Sequence, residues 1–237
     1  MSVLHDAAGD WIRDAMVLSG VRGGAVLNME RNMEKLLALI AEAGDEEDVV
    51  IRLSEAKWLG TSLQLHLAVT ILDSAPETWK VRCEDVLVYT LRDESANWLE
   101  LTGDHPVLWE FKQETASAYF YQAPVNADAA VGALYEAHQN AVGSWIRFGQ
   151  HLNSPPGLSR LLAAGSGLLA EGPVSLLSLY KETLHRFGVT IDIRFTRSPQ
   201  IWNGERWRQL APENDMKALL LGTSYVVGSG WDAKQSV

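Results

Sequence analysis

Between Ser62 and Ile71 the side chains alternate: Leu63, Leu65, Leu67, Val69 and Ile71 are interleaved with Ser62, Gln64, His66, Ala68 and Thr70. A helix, repeating every ~3.6 residues, scatters such a set around its circumference, whereas a strand turns every second residue to the same face. The segment therefore predicts a strand with one buried and one wet face, and such a strand needs neighbours. Further strand-like runs lie at 49–53, 79–91, 98–101, 107–112 and 116–122. The connections between them, such as Asp73-Ser74-Ala75-Pro76 and Arg92-Asp93-Glu94-Ser95, are too short for the crossovers that parallel neighbours require. An antiparallel meander follows.

Helical spacing frames this region. Leu4, Ala7, Ala8, Trp11, Ile12, Ala15 and Met16 predict an amphipathic helix over 3–18, and Met29, Met33, Leu36, Leu37 and Ile40 predict a second, capped at Gly44. After Pro124, Asn126 is a good N-cap for a helix whose seam runs through Leu134, His138 and Trp145 toward Leu152, stopping near Asn153. A shorter helix is expected from Leu158 through Leu169. Gly172-Pro173 would end it and start the next, in which Leu176, Leu177, Tyr180, Leu184 and Phe187 face inward. Ile191, Ile193 and Phe195, alternating with Thr190, Asp192, Arg194 and Thr196, read as a strand, and Asn203-Gly204 as a type I′ hairpin turn. A helix over 213–221, a strand over 224–227 and a loose tail from Gly228, in which Trp231 is able to dock, complete the reading. The fold class is α+β, mainly an antiparallel β-meander packed against helices, with a C-terminal helical and hairpin segment. Residues 1–123 form a helical hairpin plus sheet and residues 124–237 helices plus a small hairpin, packed together as one compact unit.

Composition narrows the function classes. A formal charge of −10 repels polyanions and argues against nucleic acid. Cys83 is the only cysteine, which excludes an intrachain disulfide and a thiolate zinc site and suits the reducing cytoplasm. Asp6, Asp10 and Asp14 interrupt the stretch where an export signal needs unbroken hydrophobicity, and no apolar run approaches the ~18 residues of a membrane span. The six histidines form no His-x-x-x-His pair, and the glycine-rich stretches 21–24 and 165–167 lack phosphate-loop endings, so no metal and no cofactor is expected. Asp104-His105 is explained by turn chemistry, and Cys83 beside Glu84 and Asp85 is a poor thiolate. The acidic run Asp45–Asp48 reads as a solvated turn.

Two regions carry binding potential. From Tyr180 to Leu210 six basic side chains face three acidic ones, with Arg194 and Arg206 available to an anionic group; in the expected hairpin Trp202 and Trp207 share one face diagonally. In a 107–122 hairpin, Trp109, Phe111 and Phe120 would face the core and leave Tyr119 and Tyr121 outward, as tyrosines often stand at interfaces. His138, on an apolar seam, reads either as a hydrogen-bonded core histidine or as a ligand contact. The candidate binding residues are thus Trp109, Tyr119, Tyr121, His138, Arg194, Trp202, Arg206 and Trp207, with no catalytic or metal residue. They fit a noncatalytic cytoplasmic protein-binding protein, an adaptor, inhibitor or immunity-like chain for a more basic partner. Two other readings stand beside it: an enzyme or small-ligand binder holding an anionic substrate in a sheet–helix pocket, using His138 or His105, and a structural homo-oligomer self-associating through a sheet edge. The first is preferred because no motif names a reaction.

Overall fold

The computed structural model of the chain describes residues 26–43, 48–72, 74–202, 205–210 and 214–236. The helix expected over 3–18, the cap at Gly44, residues 45–47 of the acidic run and the Asn203-Gly204 turn lie outside them. The fold is α+β, with antiparallel sheets and helices packed against them.

Helix α1 (Val26–Ala41) turns Met33 and Leu36 into the first core. Strands β1 (Val49–Leu59), β2 (Ser62–Ile71) and β3 (Glu77–Glu84) follow as a meander. The alternation of β2 behaves as its sequence dictates: Leu63, Leu65, Leu67 and Val69 are buried, while Gln64, His66, Ala68 and Thr70 are half-buried on the opposite face. Burying each such leucine contributes about 1.5–3 kcal/mol, which fixes the register because a one-residue slip would move all of them into water.

The strand expected over 79–91 is two strands. Asp85 takes a left-handed φ of 46° at the end of β3, and β4 (Val88–Thr90) joins a different sheet. After β5 (Ser95–Ala96) and β6 (Leu99–Thr102), the run 107–112 is helical rather than extended. Pro106 opens a 3-10 turn, His105 Nδ1 accepts from the Val107 amide at 3.4 Å, and α2 (Trp109–Lys112) continues it. Proline at the first turn and a side-chain cap before it outweigh the β-propensity of Val107 and Trp109.

Strand β7 (Thr115–Tyr121) precedes α3 (Ala127–Val142), capped by Asn126 as expected but ending ten residues short of Asn153, at Gly143 with φ 54°. Helix α4 (Leu158–Ala163) is equally short. The residues expected to prolong it form β8 (Ser166–Pro173), because there they hydrogen-bond to β7 from Tyr121↔Ser166 to Thr115↔Pro173. Helix α5 (Val174–His185) and β9 (Thr190–Arg197) match expectation. Next come β10 (Gln200–Trp202) and β11 (Trp207–Gln209). The supposed helix up to Leu221 is instead strand β12 (Lys217–Leu221), which pairs with β13 (Ser224–Gly228) and with β6. The supposed tail is β14 (Gly230–Ser236), bonded to β3 from Gly230↔Glu84 to Ser236↔Thr78.

The main sheets are a five-stranded one ordered β14-β3-β2-β1-β5, a four-stranded one ordered β4-β13-β12-β6, and a three-stranded one ordered β8-β7-β9. The four-stranded sheet is covered on both faces. Leu219, Leu221 and Val226 join the first core with β2 and β3, while Ala218, Leu220 and Val227 pack on Val107 and Leu108. A third core lies between the three-stranded sheet and the helices, where Ala116, Ala118 and Phe120 meet Leu134, Leu176, Leu177, Tyr180 and Leu184. Strand β7, from the first 123 residues, pairs only with strands from beyond them, and β12 to β14 return to pair with β3, β4 and β6.

Candidate interaction surface

The helices cover one face of the three-stranded sheet and leave the other open. Opposite residues in the β7–β9 ladder are Tyr121↔Thr190, Tyr119↔Asp192 and Ser117↔Arg194 on the open face, of which Ser117 is buried, with Phe120↔Ile191 and Ala118↔Ile193 turned to the core. The strand period thus delivers Tyr119 and Tyr121 outward, as their spacing requires.

Arg194 organises this face. Its Nε donates to Asp192 Oδ2 at 2.8 Å, its Nη2 donates to Tyr121 Oη at 3.3 Å, and its guanidinium carbon lies 5.1 Å from the centre of the Tyr119 ring. The hydrogen bond that Arg194 donates to Asp192, foremost, raises the Arg194 pKa above its ordinary value. A long, exposed arginine ordinarily samples many rotamers, and three simultaneous contacts confine this one. Tyr121 keeps 42% of its surface exposed.

A second patch lies on the β10–β11 ribbon. Trp202 and Trp207 stand directly opposite each other rather than diagonally. The rings meet edge to face, 5.7 Å apart at 63°, and that cross-strand contact fixes the pairing. Both indoles remain open, at 44% and 62% exposure. Arg206 sits in the connection and Arg208 opposite Ile201. Residues Thr190 to Arg197 span roughly 23 Å of strand, so the tyrosine–arginine patch and the tryptophan ribbon lie toward opposite ends of β9.

The remaining candidates stand apart from both. Trp109 is half-buried against the helical core. His138 is fully buried: Nε2–H donates to the Ile146 carbonyl at 2.7 Å, and Nδ1 accepts from the Tyr180 hydroxyl at 2.9 Å. Carbonyl oxygens only accept, so Nε2 carries a proton, and burial lowers the pKa, which favours the neutral ring with Nδ1 as acceptor. Burial also holds the Tyr180 phenol protonated well above its usual range. His105 caps the 3-10 turn and packs edge-on against Trp145. The Cys83 thiol is pushed far up, by burial first and then by Asp85 and Glu84.

Two features of the open region escaped the sequence reading. Asp192 anchors Arg194, a role foreshadowed only by their spacing of two. Phe195 has the parity of the inner face, opposite Ala116, yet is 66% exposed because it lies beyond the cover of the helices. Elsewhere, an open depression of about 550 Å³ at the start of α4 is lined by Pro156, Gly157, Ser159, Arg160 and Ala163, none of them a candidate. Among the described residues no group of three or more His, Cys, Asp or Glu gathers to hold a metal ion, and no helix is long and apolar enough to cross a membrane. Comparison with protein-family models, with curated proteins and with solved structures finds no match.

Proposed function

We propose that this chain is a noncatalytic cytoplasmic protein-binding protein, an adaptor or inhibitor that meets its partner through the open face of the β8-β7-β9 sheet and, beyond the far end of β9, the tryptophan ribbon. The observation that carries this reading is the prearranged Tyr119–Tyr121–Arg194 group, in which an exposed arginine is held by two tyrosines and an aspartate. Tyrosine, tryptophan and arginine supply most anchor residues at protein interfaces, because they offer large contact area for few rotatable bonds. Arranging them in advance reduces the entropy lost on docking. The formal charge of −10 favours a partner that is basic overall.

The test compares wild type with Tyr119→Ala/Tyr121→Ala and Trp202→Ala/Trp207→Ala as baits in native lysate. A protein captured by wild type and identified by mass spectrometry is expected to be lost with at least one double variant. Truncating anchors of this kind weakens binding by about 2 kcal/mol or more, roughly thirtyfold. Undiminished capture by both variants would remove these surfaces from the interface.

A further inference from the structure

Among the described residues, one strand of the β8-β7-β9 sheet has no outer neighbour. The outer flank of β8 is occupied, since Leu152 bridges to Ala170, the Asn153 amide donates to the Leu169 carbonyl, and the Glu171 amide donates to the His151 carbonyl. Strand β9, eight residues long, has β7 on one side and no strand on the other among the described residues. Free edges of this length present unpaired amides and carbonyls to any passing strand, and proteins ordinarily blunt or use them. On β9 the open face carries Asp192 and Arg194, and the helix face carries Ile191, Ile193 and Phe195. Ile191 is 4% exposed, but Phe195 is 66% exposed at the same edge.

We propose that β9 pairs antiparallel with β9 of a second copy of this chain about a two-fold axis through Ile193, joining two three-stranded sheets into one of six strands. An axis normal to the sheet keeps each face on its own side, so allowed registers differ in steps of two residues. In the register centred on Ile193, Asp192 opposes the second copy's Arg194 and Arg194 its Asp192. Ile191 opposes the second copy's Phe195, Ile193 its own equivalent, and Thr190 the second copy's Thr196. Every opposed pair is complementary. One step in either direction sets Asp192 against Asp192 or Arg194 against Arg194, which like-charge repulsion penalises. The charges that guard the edge against arbitrary strands therefore admit one register of self-pairing.

The rest of the unit accommodates this arrangement. Helix α5 lies over β7, β8 and β9. Strands ~4.8 Å apart set the two central β7 strands ~14 Å apart, wider than the ~8–10 Å between packed helices. The Phe195 rings occupy that gap, which accounts for an aromatic residue left open beside a covered isoleucine. The inference stands independently of the proposed protein partner; it adds that both tyrosine–arginine patches share one continuous face.

The test is the solution mass of the full chain by sedimentation velocity across a concentration series. Wild type is expected to pass from monomer to dimer. Arg194→Asp alone and Asp192→Arg alone each create two like-charge oppositions and weaken association by about tenfold or more. Mixing these two variants in equal amounts restores dimer, because each then meets its complement, and the double swap Asp192→Arg/Arg194→Asp restores it within one chain. Phe195→Ser weakens association without changing charge. Both charged positions are exposed, and far-UV circular dichroism confirms that each variant is folded. A wild type that stays monomeric at every concentration, single variants that dimerise undiminished, or a mixture that fails to dimerise would each overturn the proposal.

Discussion

His138 sits in an apolar interior because both of its nitrogens are engaged, one by the Tyr180 hydroxyl and one by the Ile146 carbonyl. Replacing Tyr180 by Phe keeps the ring but leaves the Nδ1 lone pair without a donor, and an unsatisfied buried acceptor costs about 1–3 kcal/mol. Urea denaturation of Tyr180→Phe is expected to read that loss. The same geometry fixes a pH dependence. Burial lowers the pKa of His138, and of His105, below the ordinary 6.5, so the folded state favours the neutral rings. Unfolding returns them to 6.5, and below that value the unfolded chain binds more protons. Their contribution is therefore complete above pH 6.5 and is lost as pH falls through and below it. His138→Gln should flatten the slope of stability against pH on the acid side, measured by denaturant midpoints at a series of pH values.

At the scale of elements, periodicity was legible wherever one face met water. Strand β2, with alternating leucines, and α5, with its stripe from Leu176 to Leu184, could be read directly because each has a wet side to mark the period. Strand β12 hid for the opposite reason. Ala218 to Leu221 are buried on both faces of the four-stranded sheet, so they form a continuous apolar run that resembles a helix as much as a strand. Partners decided the rest: β8 and β14 carry weak local signals and become strands because β7 and β3 offer them edges. The outward parity of Tyr119 and Tyr121 followed from spacing alone, whereas the grip of Asp192 on Arg194 and the exposure of Phe195 depend on where the helices end. Trp231 shows the difference in consequence. In a loose tail its loss would be neutral, but at 3% exposure in β14 Trp231→Ala is expected to cost about 3–5 kcal/mol in chemical denaturation.

At the scale of the whole molecule, two paired strands serve two sheets. The β3–β14 ladder of the five-stranded sheet continues as the β4–β13 ladder of the four-stranded one, and the ribbon changes sheets at Asp85 and Ser229. There the Ser229 amide donates to the Glu84 carbonyl at 3.3 Å, and its hydroxyl donates to Asp85 Oδ2 at 3.1 Å. Gly228 makes the corner possible, because a Cβ there would overlap Cys83 Sγ and lie 2.7 Å from the Glu84 carbonyl oxygen. Gly228→Ala should accordingly destabilise by about 1–3 kcal/mol, as overpacking does, seen as a lowered thermal midpoint. The corner also dictates an order of events during synthesis. Until β12 to β14 have been made, β3 has a bare flank and the four-stranded sheet lacks its middle, so the leucines of β2 wait without the cover of Leu219, Leu221 and Val226. A nascent chain built this way closes only once β14 has emerged, and holdase chaperones have that interval in which to find it.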